Sequence, residues 1–419
     1  MPKHIECSEH ETLVVGDSPG APITESDVAQ LLRAQGAARA LDWIDRNKVR
    51  TSEQVGVIAA PSIRLEILPK VDGFERSAAR KILVRMLASA WDITIHDGEL
   101  AQMASQNRDL LEIFIHLFAL RLNSEVRKGL RRTYQQHRGD LSRLRGKLDA
   151  VRQYSLNAAY PQRLACVFDE LTADTPLNRL LLCTVQTLRR RTTISSTERL
   201  LTETAFHFED VELLPAELVL RERIFLGPTD RRWQPVLGLA RLLLEGSYQA
   251  THLGVRDGIA LLFDTNRLFE TYVAIMIRKI AYSLGYVVTE QGPNRGLVAD
   301  SDGHELMSTR PDIHVDLHGR TIIFDTKWKQ LVLGPAFGIT AADLYQMHAY
   351  QHVYGASDTV LIFPKAHVLG GADSQVQWTF IESSKSLKVM WIDLEDASAF
   401  KDAVSAILAP SSVTSAISV

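Results

Sequence analysis

Arg310-PDIHVDLHGRTIIFDTKWK, residues 310–329, decides how the C-terminal part of the chain folds. Two apolar runs flank His318-Gly319, and glycine in the second place of a two-residue turn supplies the positive φ that a tight I′ hairpin needs. Counting outward from that turn, Leu317 pairs with Arg320 and Asp312 stands opposite Asp325. Directly opposed residues share a sheet face, with Cβ atoms about 4.5–5.5 Å apart. Side chains alternate along a strand, so Lys327 joins that face. Two carboxylates and an amine converge on one patch.

Opposed carboxylates repel unless a proton or cation neutralises them. Their neighbours Ile313, Val315, Ile322, Ile323 and Phe324 belong to buried strands, where an unpaired aspartate is costly. Hard oxygen ligands of this kind suit Mg2+, with Mn2+ an admissible substitute. A metal held there stabilises charge on a phosphoryl oxygen and acidifies bound water. Lys327 stands ready to orient the attacking group or to offset developing charge. Metal-assisted phosphodiester hydrolysis is the reaction class this triad serves best.

Upstream, Asp264-TNRLFETYVAIMIRKIAYSLGY reads as a long amphipathic helix ended by Gly285, and its Glu270 can offer a third carboxylate. Strands are expected over 286–290, 311–317, 320–326, 359–363, 377–382 and 388–392, with one helix over 340–354. On that helix Gln346 and Tyr350, four residues apart, share a face and can support the site or contact a nucleic-acid backbone. This makes 258–419 an α/β domain. Residues 77–257 look mainly helical, as in Ala78-ARKILVRMLASAWDI, Arg108-DLLEIFIHLFALRLNSEV and Pro235-VLGLARLLLEG. Residues 1–76 look β-rich, with a capping box at Thr24–Asp27 opening a short helix and a hairpin over 54–71. The fold class expected is therefore mixed α and β, in three domains.

Length and charge bound the partners. The 419 residues carry 47 basic and 50 acidic side chains, a net charge of -3, with 46% hydrophobic residues. That is an ordinary globular composition without a basic excess. Yet from Arg121 to Arg152 eight Arg and two Lys face three acids, a local net of +7, and Arg131-Arg132 at its centre are candidate DNA contacts. No apolar run approaches the ~20 residues of a membrane span. The charged start MPKHIECSEHETL and three scattered cysteines suggest a reducing cytoplasm. There is no G-x-x-x-x-G-K-[ST], HExxH, G-x-S-x-G or G-x-G-x-x-G, so a nucleotide-binding loop must come from elsewhere if one is needed.

Pro311-Asp312 … Asp325-Thr326-Lys327 resembles the PD-(D/E)xK nuclease motif, with Glu270 in the place of its helical acid and Gln346 and Tyr350 like its Q-xxx-Y element. The ordered strings VGVIAAPSIRLEILPKV, DLLEIFIHLF, DTPLNRLLL, NRLFETYV, RPDI, DTKWK and DLYQMHAY together resemble the McrC family. The departures are mild: Thr326 stands where Ala is common and Trp328 where Tyr is common. The resemblance implies a restriction-endonuclease-like C-terminal domain that cleaves DNA in a 5-methylcytosine-specific restriction complex. It also implies a partner, an McrB-like AAA+ GTPase hexamer that binds the GTP and recognises double-stranded DNA carrying modified cytosine. The N-terminal part of such chains docks into that ring and stimulates it. A stand-alone repair-type nuclease, motivated by the basic stripe, and a non-catalytic activator of the GTPase are the competing readings.

Overall fold

The computed structural model describes residues 2–16, 21–34, 37–71, 73, 75–91, 93, 110–160, 162–252 (246–252 by backbone only), 258–317, 319–332, 334, 336–366, 375–381 and 385–409. By its contacts the chain forms two compact units, Met1–Arg108 with Leu262–Val419, and Asp109–Leu261. The expected boundary near 76 falls inside the first unit.

The N-terminal part of that unit holds β1 (Lys3–Ser8), β2 (Thr12–Val14), β3 (Leu41–Asp45), β4 (Lys48–Thr51), β5 (Gln54–Ala59) and β6 (Ile63–Leu68). β5 and β6 form the expected antiparallel hairpin, Gly56 opposite Ile67, and β1 runs parallel to β6. Both hairpin strands are buried almost throughout: β5 has a continuous apolar run, and β6 buries Glu66 among its apolar residues. β2, β4 and β3 make a separate sheet. Helix α1 (Glu25–Arg33) opens on the expected capping box, Thr24 and Asp27 each accepting at 3.1 Å from the other's backbone N–H. Helix α2 (Arg76–Ala90), assigned by its periodicity to the helical middle, belongs to this unit. Its buried Arg80 pairs with Glu6 and, at 2.6 Å, with Glu66, neighbours across β1 and β6.

The second unit contains α3 (Leu110–Val126), α4 (Ala150–Ser155), α5 (Pro176–Arg189), α6 (Ser195–Phe206), α7 (Ala216–Arg221) and α8 (Gln234–His252). Arg108 and Asp109, the expected start of α3, lie outside the described residues. α3 is buried nearly all round rather than on one stripe, as its mostly apolar sequence demands. The DTPLNRLLL string makes the start of α5: Thr175 caps, Pro176 occupies the first turn, and buried Asn178 donates to the carbonyls of Arg131 and Ala173 at 2.8 and 2.7 Å. One expectation fails here. The basic stripe is mostly not helical: between Arg121 on α3 and Arg152 on α4 run β7 (Thr133–Leu141) and β8 (Lys147–Leu148), which with β9 (Leu164–Thr172) form an antiparallel sheet in the order β7-β9-β8. Thr133-YQQHRGDL and Leu164-ACVFDELT lack a 3.6-residue apolar period and are rich in Thr, Tyr, Val and Phe, which favour strands. Arg131 precedes β7 and donates to Asp230 at 2.9 Å, whereas Arg132 is exposed.

β10 (Ile259–Asp264) carries the chain back into the first unit and completes the sheet β1-β6-β5-β10. After it come α9 (Thr265–Ser283), β11 (Val287–Glu290), β12 (Arg295–Ala299), β13 (Glu305–Thr309), β14 (Ile313–Asp316), β15 (Thr321–Thr326), α10 (Ala341–Val353), β16 (Asp358–Pro364), β17 (Gln375–Thr379), β18 (Ser386–Ile392) and α11 (Ser398–Leu408). Six strands form one sheet in the order β11-β14-β15-β16-β18-β17. Its centre, β15-β16-β18, is parallel, and β16 is buried at every residue. α10 covers one face over Ile323, Leu361, Phe363, Val389 and Trp391. α9 and α11 pack together on the other. The short hairpin β12–β13 and the closing helix α11 escaped the sequence reading. No described helix is long and apolar enough to cross a membrane.

Candidate active site

The hairpin register is the one counted from the turn. Ile313 pairs with Phe324 and Asp316 with Thr321, and Leu317 N donates to Arg320 O at 2.9 Å. His318 lies outside the described residues, but Gly319 has φ 104°, as a turn of this kind asks. The ladder stops at Ile313, so Asp312 is not a strand residue. Its Oδ2 instead accepts from the backbone N–H and the hydroxyl of Thr326, at 2.7 and 2.9 Å. Thr326, where the motif commonly has Ala, thus anchors the first carboxylate. Its opposite number, Asp325, points with Ile323 to the face that α10 covers and is only 1% exposed.

Lys327 follows the end of β15, its N–H bound to the Ile362 carbonyl of β16 at 2.9 Å. Nζ stands 2.8 Å from Asp325 Oδ2 in an ion pair and directs its hydrogen bond to Gln346 Oε1, 2.9 Å away. Gln346 Nε2 donates to the Tyr350 hydroxyl at 2.8 Å, and that hydroxyl donates to the Arg310 carbonyl at 3.0 Å. The chain of bonds therefore runs from the amine across one face of α10 and back to the residue preceding Pro311. α10 starts at this place because Thr340 and Asp343 form a capping box, and Asp343 is further held by Lys329 at 2.8 Å.

Glu270 arrives from α9, whose N-cap is Asp264. Its carboxylate accepts from Gln291 Nε2, and Gln291 N donates to the Asp312 carbonyl at 2.8 Å. Gln291 holds a left-handed φ of 53° at the end of β11 and ties the helical acid to the first aspartate. No motif marked this residue beforehand. Glu9 is the other unmarked contributor, only 2% exposed. Its Oε1 accepts from Trp328 Nε1 at 2.7 Å and Lys70 N at 2.8 Å, and its Oε2 from Thr265 Oγ1 at 2.9 Å. Arg131 and Arg132 belong to the other unit.

The electrostatics are those of a site short of positive charge. Burial, then the charge of Asp312, pushes the Asp325 carboxyl up to about 7 against the opposing pull of Lys327. Burial and Asp312 likewise raise Glu270. Burial alone would lower the Lys327 ammonium, but Asp325 beside it holds it above its ordinary value, and so charged. Burial raises the Tyr350 phenol, which stays a hydrogen-bonded hydroxyl. Asp312 is the common neighbour that burdens both other acids. Asp325 Oδ2 is buried against the Lys327 ammonium, 2.8 Å away. A hard divalent cation fits such a donor set. The oxygens of Glu270, Asp312 and Asp325 do not all lie within 4.8 Å of one another. Of the described residues, two sets of three do: His4-Glu6-Glu66, whose two glutamates pair with Arg80, and the exposed Asp300-Asp302-His304.

Comparison with known proteins gives the chain's family. A family model described as McrBC 5-methylcytosine restriction system component matches residues 49–364, which take in all of Glu270, Asp312, Asp325, Lys327, Gln346 and Tyr350. No curated protein matches. Among solved structures, the refined half-complex from a tetradecameric assembly of Thermococcus gammatolerans McrB AAA+ hexamers with bound McrC is similar in fold, with TM-score 0.66 and 22% identity over 96% of this chain and 100% of that one. The cryo-EM structure of the Thermococcus gammatolerans McrBC complex aligns with TM-score 0.50 and 25% identity, covering 66% of this chain and 88% of that one. With the family model spanning well over half of its length, the chain belongs to the McrBC 5-methylcytosine restriction system component family.

Proposed function

We propose that this chain is the DNA endonuclease subunit of a 5-methylcytosine-directed restriction complex, with a PD-(D/E)xK nuclease fold in residues 258–419. The observation that carries the reading is the linked set Asp312–Thr326, Asp325–Lys327 and Lys327–Gln346–Tyr350 at the carboxyl end of β15. Asp325, Asp312 and Glu270 would hold Mg2+ (or Mn2+), and the bound ion supplies neutralisation of charge on the phosphodiester. Asp312 is kept in place by Thr326, so its carboxylate needs little reorganisation. Lys327 stays charged between Asp325 and Gln346 and presents its ammonium to a phosphate oxygen or to the attacking water. Removing one such electrostatic contact typically costs about 10²–10³ in rate. Gln346 and Tyr350 position the lysine rather than touch the scissile bond.

The partner is an McrB-like AAA+ GTPase hexamer that binds GTP, reads modified cytosine in double-stranded DNA and is stimulated by this chain in the cytoplasm. The Thermococcus gammatolerans half-complex of McrB AAA+ hexamers with bound McrC supports that assignment. Cleavage of methylated and unmethylated plasmid, with partner, GTP and Mg2+ omitted in turn, tests it. Double-strand breaks only with methylated DNA and all three additions are expected; cutting of unmethylated DNA by this chain alone would contradict it.

A further inference from the structure

Within the first unit a cavity of about 260 Å³ opens where β15 and β16 end. Ligands of open α/β sheets gather beyond the carboxyl ends of the strands. Trp328 lines the cavity beside buried Glu9, and around them stand His10, Lys70, Lys329 and Lys365. Among the described lining residues Glu9 is one carboxylate against three lysines, and its two oxygens accept from three neutral donors. One of them is the backbone N–H of Lys70, which fixes where that lysine emerges. Lys329 is shared with Asp343, and Lys365 lies 3.5 Å from Asp393. Among the described residues no carboxylate is ion-paired with the exposed Lys70. The lining therefore asks for an anion.

Its place says which anion. Lys329 is two residues beyond Lys327, and two residues of chain span at most about 7 Å. Phosphates on one DNA strand advance about 3.4 Å each along the helix axis. A strand whose phosphate reaches Lys327 thus brings another to the cavity within one or two nucleotides. We infer that this cavity is a subsite for a backbone phosphate of the strand being cut, one or two nucleotides from the scissile bond. It rests on the nuclease reading above.

The test is binding rather than cutting. The full chain carrying Asp325→Ala is titrated, with its partner, into a fluorescent duplex bearing 5-methylcytosine across a range of salt. Lys70→Glu with Lys365→Glu is compared with Lys279→Glu with Lys401→Glu, an equal charge change at exposed lysines that do not line the cavity. The cavity pair should bind about tenfold more weakly and lose about 0.9 of the log–log salt slope per phosphate released. The control pair should show less than half of either effect, and Lys70→Arg with Lys365→Arg should bind like the parent at an unchanged Tm. Equal losses for the two glutamate pairs, or normal binding by the cavity pair, would overturn the subsite. Wild-type chain that never cuts, with the difference between pairs intact, would sink the nuclease reading alone.

Discussion

Asp325 bears the electrostatic strain of the site, and its titration is measurable. Its folded pKa is raised towards 7 by burial and by Asp312, so the folded chain binds a proton there more tightly than the unfolded one. Metal-free stability contributed by this group is therefore greatest at low pH and is lost as pH rises through the folded value. A divalent ion must displace that proton. The Mg2+ concentration for half-maximal protection in a thermal melt should fall as pH rises from ~6 to ~8, by up to about tenfold per unit below the pKa. A half-saturation independent of pH would contradict the assignment. Tyr350→Phe removes one donor and one acceptor from the chain linking Lys327 to Arg310. It should cost about 1 kcal/mol of stability and slow cleavage severalfold while leaving DNA affinity intact; a loss of affinity without a change in rate would place Tyr350 on the DNA instead. The register of the β14–β15 hairpin was legible in the sequence because a two-residue turn fixes it by counting, though the ladder ends at Ile313, one residue short of Asp312. Gln291 and Glu9 were not. Each acts through long-range bonds that no local pattern announces.

At the scale of elements, Glu9 joins the end of β1 to the first residue of α9, to the stretch after β6 and to Trp328 beyond β15. Position of the helical acid and of the lysine thus depends on one buried carboxylate from the N-terminal sheet. Glu9→Ala leaves the half-buried Trp328 indole N–H and the Lys70 backbone N–H without their acceptor, while the Thr265 hydroxyl keeps the Glu53 carbonyl, and should cost about 3 kcal/mol. A Tm unchanged from wild type would show that water replaces it freely. The element pattern itself was largely readable. Strong periodicity placed α9, α10 and the β14–β15 hairpin within a residue or two. The β7–β9–β8 sheet was missed because its strands are largely polar and half-exposed, and their one apolar run, Leu164–Phe168, is too short to tell from a piece of helix by pattern alone. The β12–β13 hairpin, exposed almost throughout, went unseen for the same reason.

The whole chain departs from a row of three beads. Residues 1–108 share a compact unit with 262–419, while 109–261 form their own. Periodicity speaks of neighbours along the chain, and it cannot say that a segment some two hundred residues earlier completes the same unit. The division predicts that a fragment of residues 258–419 alone, lacking Glu9 and the β1-β6-β5 strands, will not melt cooperatively, whereas 1–108 joined to 262–419 through a short linker will. A sharp transition for the shorter fragment would contradict it. The net charge of -3 likewise averages over a basic stripe in one unit and an acid-rich site in the other. The central claim is that Asp325 and Lys327 cut DNA while the chain separately stimulates its partner. It is tested most directly by giving Asp325→Ala and Lys327→Ala chains to the partner with GTP, Mg2+ and methylated plasmid, and following both strand breaks and GTP hydrolysis. The account predicts breaks reduced at least about 100-fold with GTPase stimulation retained; plasmid cut at the wild-type rate by either variant would contradict it.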